Sequence, residues 1–176
     1  MGRRESHDAS GFYRRFAAPT VTTDDTVTEP APIAESFVLG DSRTMDTVAD
    51  GAVALVVTSP PYFAGKQYEE ELGRDGVPAS YAEYLDLLTA VFADCVRTLE
   101  PGGRIAVNVA NLGRKPYRSL AADVIGILQD DLGLLLRGEI VWRKGEGAAG
   151  NCAWGSYRSP ANPVLRDTTE RIVIAA

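Results

Sequence analysis

Ser59-Pro60-Pro61-Tyr62 sets a hydroxyl, two ring-locked backbone units and a phenol side by side, directly after the apolar run Val53-Ala54-Leu55-Val56-Val57. That run is rich in β-branched residues and reads as a strand buried on both faces. It stops at Thr58-Ser59, because two prolines cannot continue a ladder of backbone hydrogen bonds. The four residues therefore fall at the carboxyl end of a strand, where α/β sheets place their ligands. An unactivated serine hydroxyl does not deprotonate near neutrality, so Ser59 is not read as a strong base. The rest of the chain offers few reactive groups. Cys95 and Cys152 stand far apart and in no metal-ligand spacing, and the single histidine, His7, lies in a polar tail. No metal site is expected, and Cys95 reads as a core filler on a helix face.

The elements that must position Ser59–Tyr62 follow from periodicity. The chain has 176 residues, 45% of them hydrophobic, which suits one domain with one core. Residues 1–35 lack an apolar period and read as a flexible N-terminal arm; residues 36–176 form the expected folded portion. Phe37-Val38-Leu39 is a short strand candidate closed by Gly40-Asp41, and Ser42 could cap a short helix carrying Met45 and Val48. Residues 62–79 read as a loop. Ser80 with Glu83 forms a capping box that opens a helix, with Tyr81, Tyr84, Leu85, Leu88, Val91, Phe92, Val96 and Leu99 at helical spacing. Pro101-Gly102-Gly103 breaks it. Arg104–Val109 is a strand, 119–131 a helix, Leu134–Trp142 a strand, 145–168 a Gly-rich loop and Arg171–Ala175 a final strand. This alternation predicts a doubly wound, mostly parallel α/β sheet. The last two strands, joined without a helix, should form an antiparallel pair.

Charge is uneven under a net −6. Residues 1–15 hold four Arg and two acids, residues 16–100 four basic and fifteen acidic groups, and residues 101–176 ten basic and seven acidic. Arg104, Arg114, Lys115 and Arg118 run without an acid among them, and Arg143, Lys144, Arg158 and Arg166 follow. Composition alone does not establish nucleic-acid binding. No apolar run approaches the roughly 18 residues that span a bilayer, and the N-terminal Met-Gly-Arg-Arg carries no secretory apolar stretch, so a cytoplasmic location is expected.

Ser59-Pro60-Pro61-Tyr62 resembles the four-residue hallmark of the DNA amino-methyltransferases: Asp, Asn or Ser, then Pro-Pro, then an aromatic. The resemblance runs from about Phe37 to Ala176. It includes Phe-Val-Leu-Gly-Asp-Ser, Asp50-Gly51-Ala52-Val53, Leu99-Glu100-Pro101-Gly102-Gly103, Glu139–Lys144, Ser159-Pro160, Asn162-Pro163 and Glu170–Ile174. It implies a Rossmann-like methyltransferase fold, S-adenosylmethionine as cofactor and double-stranded DNA as partner. The exocyclic amine of a base is a poor nucleophile, because its lone pair is delocalised into the ring. Ser59 and the carbonyl of Pro60 would accept the amine hydrogens and turn that lone pair toward the methyl donor. Pro61 would stiffen the turn, and Tyr62 would stack on a base swung out of the duplex. Gly40, Asp41, Thr58 and Ser59 are the expected cofactor contacts. Arg114, Lys115, Arg118, Arg143, Lys144 and Arg158 are the expected contacts to DNA. The Ser form is associated more with N4-cytosine, the Asp or Asn form with N6-adenine. Related Asn-Pro-Pro-Tyr motifs methylate RNA bases or protein glutamine.

The family holds its cofactor on a Phe-x-Gly-x-Gly type turn after one strand and an acidic residue after the next. In circularly permuted members these blocks follow the catalytic motif. No such turn occurs here: Gly145-Glu146-Gly147 does not open a helix, and Gly102-Gly103 only ends one. The expectation is an incomplete sheet whose cofactor half comes from a further segment or a second chain, with Val53–Val57 as an apolar edge. The same absence leaves open a chain that only binds DNA or serves as a partner-dependent subunit.

Overall fold

The computed structural model describes residues 8–15, 20–30, 37–63, 78–112, 117–145, 153–154, 164–165 and 167–176. A short helix, α1 (Ser10–Tyr13), stands in the N-terminal segment. Then come β1 (Val53–Thr58), α2 (Tyr81–Thr98), β2 (Leu99–Val109) and α3 (Leu120–Gly126), which runs into a π-helical turn at Ile127–Asp131. β3 (Leu136–Arg143), the two-residue β4 (Ala153–Trp154) and β5 (Val164–Leu165), and β6 (Thr169–Ala175) complete the order. The main sheet runs β1-β2-β6-β3, and β4 pairs with β5 apart from it. β1 and β2 are parallel, whereas β6 is antiparallel to both of its neighbours, β2 and β3. One reversed strand near the C-terminus in an otherwise parallel sheet is the arrangement the element order predicts, and β3 with β6 is the expected antiparallel pair.

The capping residues of α2 do what their types allow. Ser80 Oγ accepts from the Glu83 amide at 3.2 Å, and the Glu83 carboxylate accepts from the Ala79 amide at 2.8 Å. The helix buries Tyr84, Leu88, Phe92 and Cys95, and α3 buries Leu120, Ala121 and Val124. Both lie against Ile105, Val107 and Val109 of β2 and Val173 and Ala175 of β6, forming one core. Burying each of the larger apolar side chains contributes about 1.5–3 kcal/mol. Cys95 is a core residue, as its spacing suggests.

Several expectations need correction. The core faces one side of the sheet only, so β1 is not buried on both faces: Leu55 is 56% and Val57 72% exposed. Registry puts Ile140 and Trp142 of β3 on the same open side, and both are exposed. Among the described residues the helices of the double winding therefore cover one face. Phe37-Val38-Leu39 is no strand. It pairs with none of the described residues, and Leu39 is wholly exposed. Ser42 caps no helix. The Asp41 side chain instead accepts from the Arg43 amide at 2.9 Å, and the Asp41 carbonyl from the Thr44 amide, closing a turn that competes with helix. Arg97 of α2 then holds this stretch, donating to the carbonyls of Val48 and Met45 at 3.0 and 3.1 Å.

β2 starts at Leu99, earlier than Arg104, but its ladder to β1 jumps from Leu99 opposite Val53 to Arg104 opposite Leu55. The residues between, Pro101-Gly102-Gly103, loop out of register. Gly102 sits at φ +78°, where a side chain is strained, and a Cβ on Gly103 would lie 2.8 Å from the Glu100 carbonyl oxygen.

Candidate active site

β1 ends at Thr58, and Ser59, Pro60, Pro61 and Tyr62 follow at its carboxyl end around an open cleft of about 320 Å³. β1 is also an edge strand of the main sheet. Two sets of contacts hold the motif. From the helical side, the Tyr84 hydroxyl of α2 donates to the carbonyl of Pro61. Phe63 adopts φ 55°, the one left-handed non-glycine among the described residues. Its ring stacks on Tyr84 with centroids 5.2 Å apart and meets Tyr81 edge-on at 5.9 Å. A bulky residue in that region is strained and persists where packing over-determines it. The aromatic trio supplies that packing.

From the sheet side, a polar network reaches the other end of the motif. Ser59 Oγ and Tyr62 Oη are 2.9 Å apart. Tyr62 Oη donates to Glu170 Oε2 at 3.3 Å, and Asn108 Nδ2 donates to the same carboxylate oxygen at 2.7 Å and to Tyr62 Oη at 3.1 Å. Lys144 Nζ forms an ion pair with the other carboxylate oxygen of Glu170. Glu170 is 7% exposed. Burial alone would raise its carboxyl, but Lys144, Asn108 and Tyr62 together hold it below its ordinary value, so it stays ionised. Burial, together with the Glu170 charge, raises the Tyr62 phenol against a smaller opposing effect of Ser59, so Tyr62 stays protonated. Asn108 Oδ1 is buried and has no hydrogen-bond partner among the described residues.

The expected site residues fall into three groups. Ser59, Pro60, Pro61 and Tyr62 come together as one cleft, with Thr58 leading into it. Gly40 and Asp41 lie in an exposed turn with no described hydrogen bond to that cleft. The Asp41 carboxylate is taken by Arg43, whose hydrogen bonds bring it down to about 2. Among the described residues, nothing beyond its chain neighbours lies within 4 Å of a Cβ placed on Gly40. Of the cations, Lys144 is drawn into the site network, and Arg143 ends β3 exposed. Arg118 is half-exposed, grips Asp123 through two bonds of 2.9 Å and stacks its guanidinium over the Tyr81 ring at 4.8 Å. Arg114, Lys115 and Arg158 lie outside the described residues.

Sequence reading missed Tyr84, Phe63, Asn108 and Glu170 as site residues. Tyr84 looked like one more apolar position of α2. Asn108 carried a usable signal, a polar residue interrupting the apolar run of β2; the register sets it opposite Ile172, two residues from Glu170 on the same face of β6.

The profile of the N6 and N4 DNA methylases matches residues 53–176. The Type II methyltransferase M.MjaVI of Methanocaldococcus jannaschii is 29% identical over 124 residues, covering 70% of this chain and 61% of that protein. M.Cfr9I of Citrobacter freundii is 31% identical over 126 residues, covering 53% of this chain and 41% of that protein. Among solved structures, the cytosine-N4-specific PvuII DNA methyltransferase superposes with a TM-score of 0.57 at 20% identity, over 78% of this chain and 47% of that one. The DNA modification methylase TTHA0409 of Thermus thermophilus, complexed with S-adenosyl-L-methionine, superposes with a TM-score of 0.53 at 24% identity, over 78% of this chain and 53% of that one. The chain thus spans about half the length of these structures and about three fifths or less of these relatives. By the profile match across its sheet and motif, this chain belongs to the N6/N4 DNA methylase family.

Proposed function

We propose that this chain is the catalytic portion of a DNA methyltransferase that modifies the exocyclic N4 amine of cytosine, in the manner of a Type II modification enzyme. The observation that carries the reading is the cleft at the end of β1. There Ser59 Oγ is exposed beside the Pro60–Pro61 backbone, and the Tyr62 ring is tethered through its hydroxyl. Ser59 Oγ and the Pro60 carbonyl accept the two amine hydrogens, which localises the lone pair on nitrogen. The proline-locked turn, pinned by Tyr84, keeps both acceptors in place before the base arrives, so little ordering remains at the moment of reaction. The Tyr62 ring gives the extrahelical base a face to stack on. S-adenosylmethionine, when bound, would supply the methyl group: the amine nitrogen would take the methyl carbon as its bond to sulfur breaks, leaving the neutral thioether, and the methylated amine would shed its extra proton to solvent.

In this reading Gly40, Asp41 and Thr58 line one rim of the cofactor site and do not enclose it, as the open surroundings of Gly40 suggest. A further segment or a second chain, in permuted order after the motif, completes the site. It also covers the apolar surface of Leu55 and Val57 at the free edge of β1; Ile140 and Trp142 expose the same sheet face on β3, at the opposite edge. An exposed apolar face next to an unpaired edge is a hazard for a domain on its own. Arg114, Lys115, Arg143 and Arg158, with Arg118, are the cations we assign to the phosphates of double-stranded DNA. Calorimetric titration tests the shared site. The isolated 176 residues bind S-adenosylmethionine no tighter than about millimolar. Adding a segment that carries a glycine turn restores both affinity and methyl transfer. Micromolar binding by the isolated chain would overturn the shared site.

A further inference from the structure

Building on the methyl-transfer reading above, we infer that Glu170 is a positioning residue that fixes the direction of the Ser59–Tyr62 hydrogen bond, so that Ser59 faces the substrate amine as a pure acceptor. An ionised carboxylate can only accept. Its neighbours Lys144 Nζ and Asn108 Nδ2 can only donate, and Tyr62 Oη, 3.3 Å away, spends its single proton there too. Tyr62 Oη then stands as an acceptor toward Asn108 Nδ2 at 3.1 Å and toward Ser59 Oγ at 2.9 Å. The one proton of Ser59 is thereby committed to Tyr62, and Ser59 Oγ keeps its lone pairs to accept one amine hydrogen while the Pro60 carbonyl takes the other. The opposite order would aim the Ser59 proton at the amine, donor against donor. The same demand explains Asn108. Only its Nδ2 can face the carboxylate, which leaves Oδ1 buried and unpaired among the described residues.

Lys144 follows β3 directly and also donates its backbone amide to the Thr168 carbonyl at 3.2 Å. The Lys144–Glu170 pair therefore joins the two ends of the 145–168 segment to the catalytic motif.

Glu170→Gln keeps the shape and removes the compulsion, because a carboxamide can donate to Tyr62. The 176-residue chain is labelled with tyrosine carrying 13C at Cζ, and the Tyr62 signal is identified by its loss in Tyr62→Phe. Glu170→Gln should shift the Tyr62 Cζ resonance, since that carbon reports whether the phenol donates. An unmoved resonance in a folded Glu170→Gln chain would overturn the inference. In the transfer-competent enzyme, Glu170→Gln should lower kcat on the order of 10²-fold, as removal of one oriented group does, with KM for DNA nearly unchanged. Combined with Tyr62→Phe it should cost no more than Tyr62→Phe alone. Ser59→Ala serves as the separate check on the methyl-transfer reading. Lost turnover in Ser59→Ala with normal kcat in Glu170→Gln overturns the role of Glu170 only. Normal turnover in Ser59→Ala overturns the methyl-transfer assignment, and the Tyr62 resonance still decides the hydroxyl order.

Discussion

The Tyr84 hydroxyl, on the first turns of α2, donates to the carbonyl of Pro61 across the boundary between helix and motif. A helix residue thus restrains the same backbone whose neighbouring carbonyl is proposed to hold the substrate amine. Tyr84 is 3% exposed, whereas Pro61 is exposed, so removing the hydroxyl releases the Pro61 carbonyl from the helix. Tyr84→Phe should cost about 1–2 kcal/mol of stability in urea titration, by the worth of one hydrogen bond. It should also lower kcat for methyl transfer while leaving DNA retention intact. Unchanged kcat would show that the motif needs no anchor from α2.

Gly103 is the tightest glycine described. A Cβ there would meet the Glu100 carbonyl at 2.8 Å and the Val53 carbonyl at 3.1 Å, both backbone atoms that cannot swing aside. Gly103→Ala should destabilise the domain by about 1–3 kcal/mol, as overpacking does, and lower the urea midpoint accordingly. A midpoint equal to that of the parent chain would contradict this packing.

How much of this was readable from residues alone depends on whether the cause was local. The cap at Ser80, the apolar face of α2 and the β-branched run of β1 are local signals, and each appears where its pattern places it. The Ser59–Tyr62 motif was legible for the same reason. Phe37-Val38-Leu39 has strand chemistry but no described neighbour to pair with, and pairing is not encoded in the strand itself. The openness of β1 at Leu55 and Val57 was illegible too, because an unbroken apolar run looks alike whether one sheet face or both are covered. The partners of Glu170 lie 108, 62 and 26 residues away in sequence, and only the strand order brings them together.

Glu170 also gives the protein an acid sensitivity of known sign. Its folded carboxyl lies below the ordinary 4.5, so its contribution to stability is fully present above that pH and is lost as pH falls through the folded value. Glu170→Gln should lower stability near neutrality by about 1–3 kcal/mol, the worth of a charged hydrogen bond. It should also flatten the fall of the urea midpoint below about pH 4.5. Parallel pH profiles for parent and variant would show that the carboxylate contributes nothing through its charge.

Replacing Arg114 and Lys115 with Ala should weaken binding about equally across duplex sequences. It should reduce the slope of log affinity against log salt by about one unit per lost phosphate contact. An unaltered slope would place these cations away from the DNA backbone.

The most direct measurement of the central claim is transfer of a labelled methyl group from S-adenosylmethionine to duplex DNA by the completed enzyme, with the modified base identified after digestion. The parent chain should yield N4-methylcytosine, and Ser59→Ala should lower single-turnover transfer by roughly 10²–10³-fold with DNA retention nearly unchanged. Label on adenine would redirect the substrate assignment to N6. Undiminished transfer by Ser59→Ala, or label on no base at all, would contradict the assignment of Ser59–Tyr62 as the site that holds the amine.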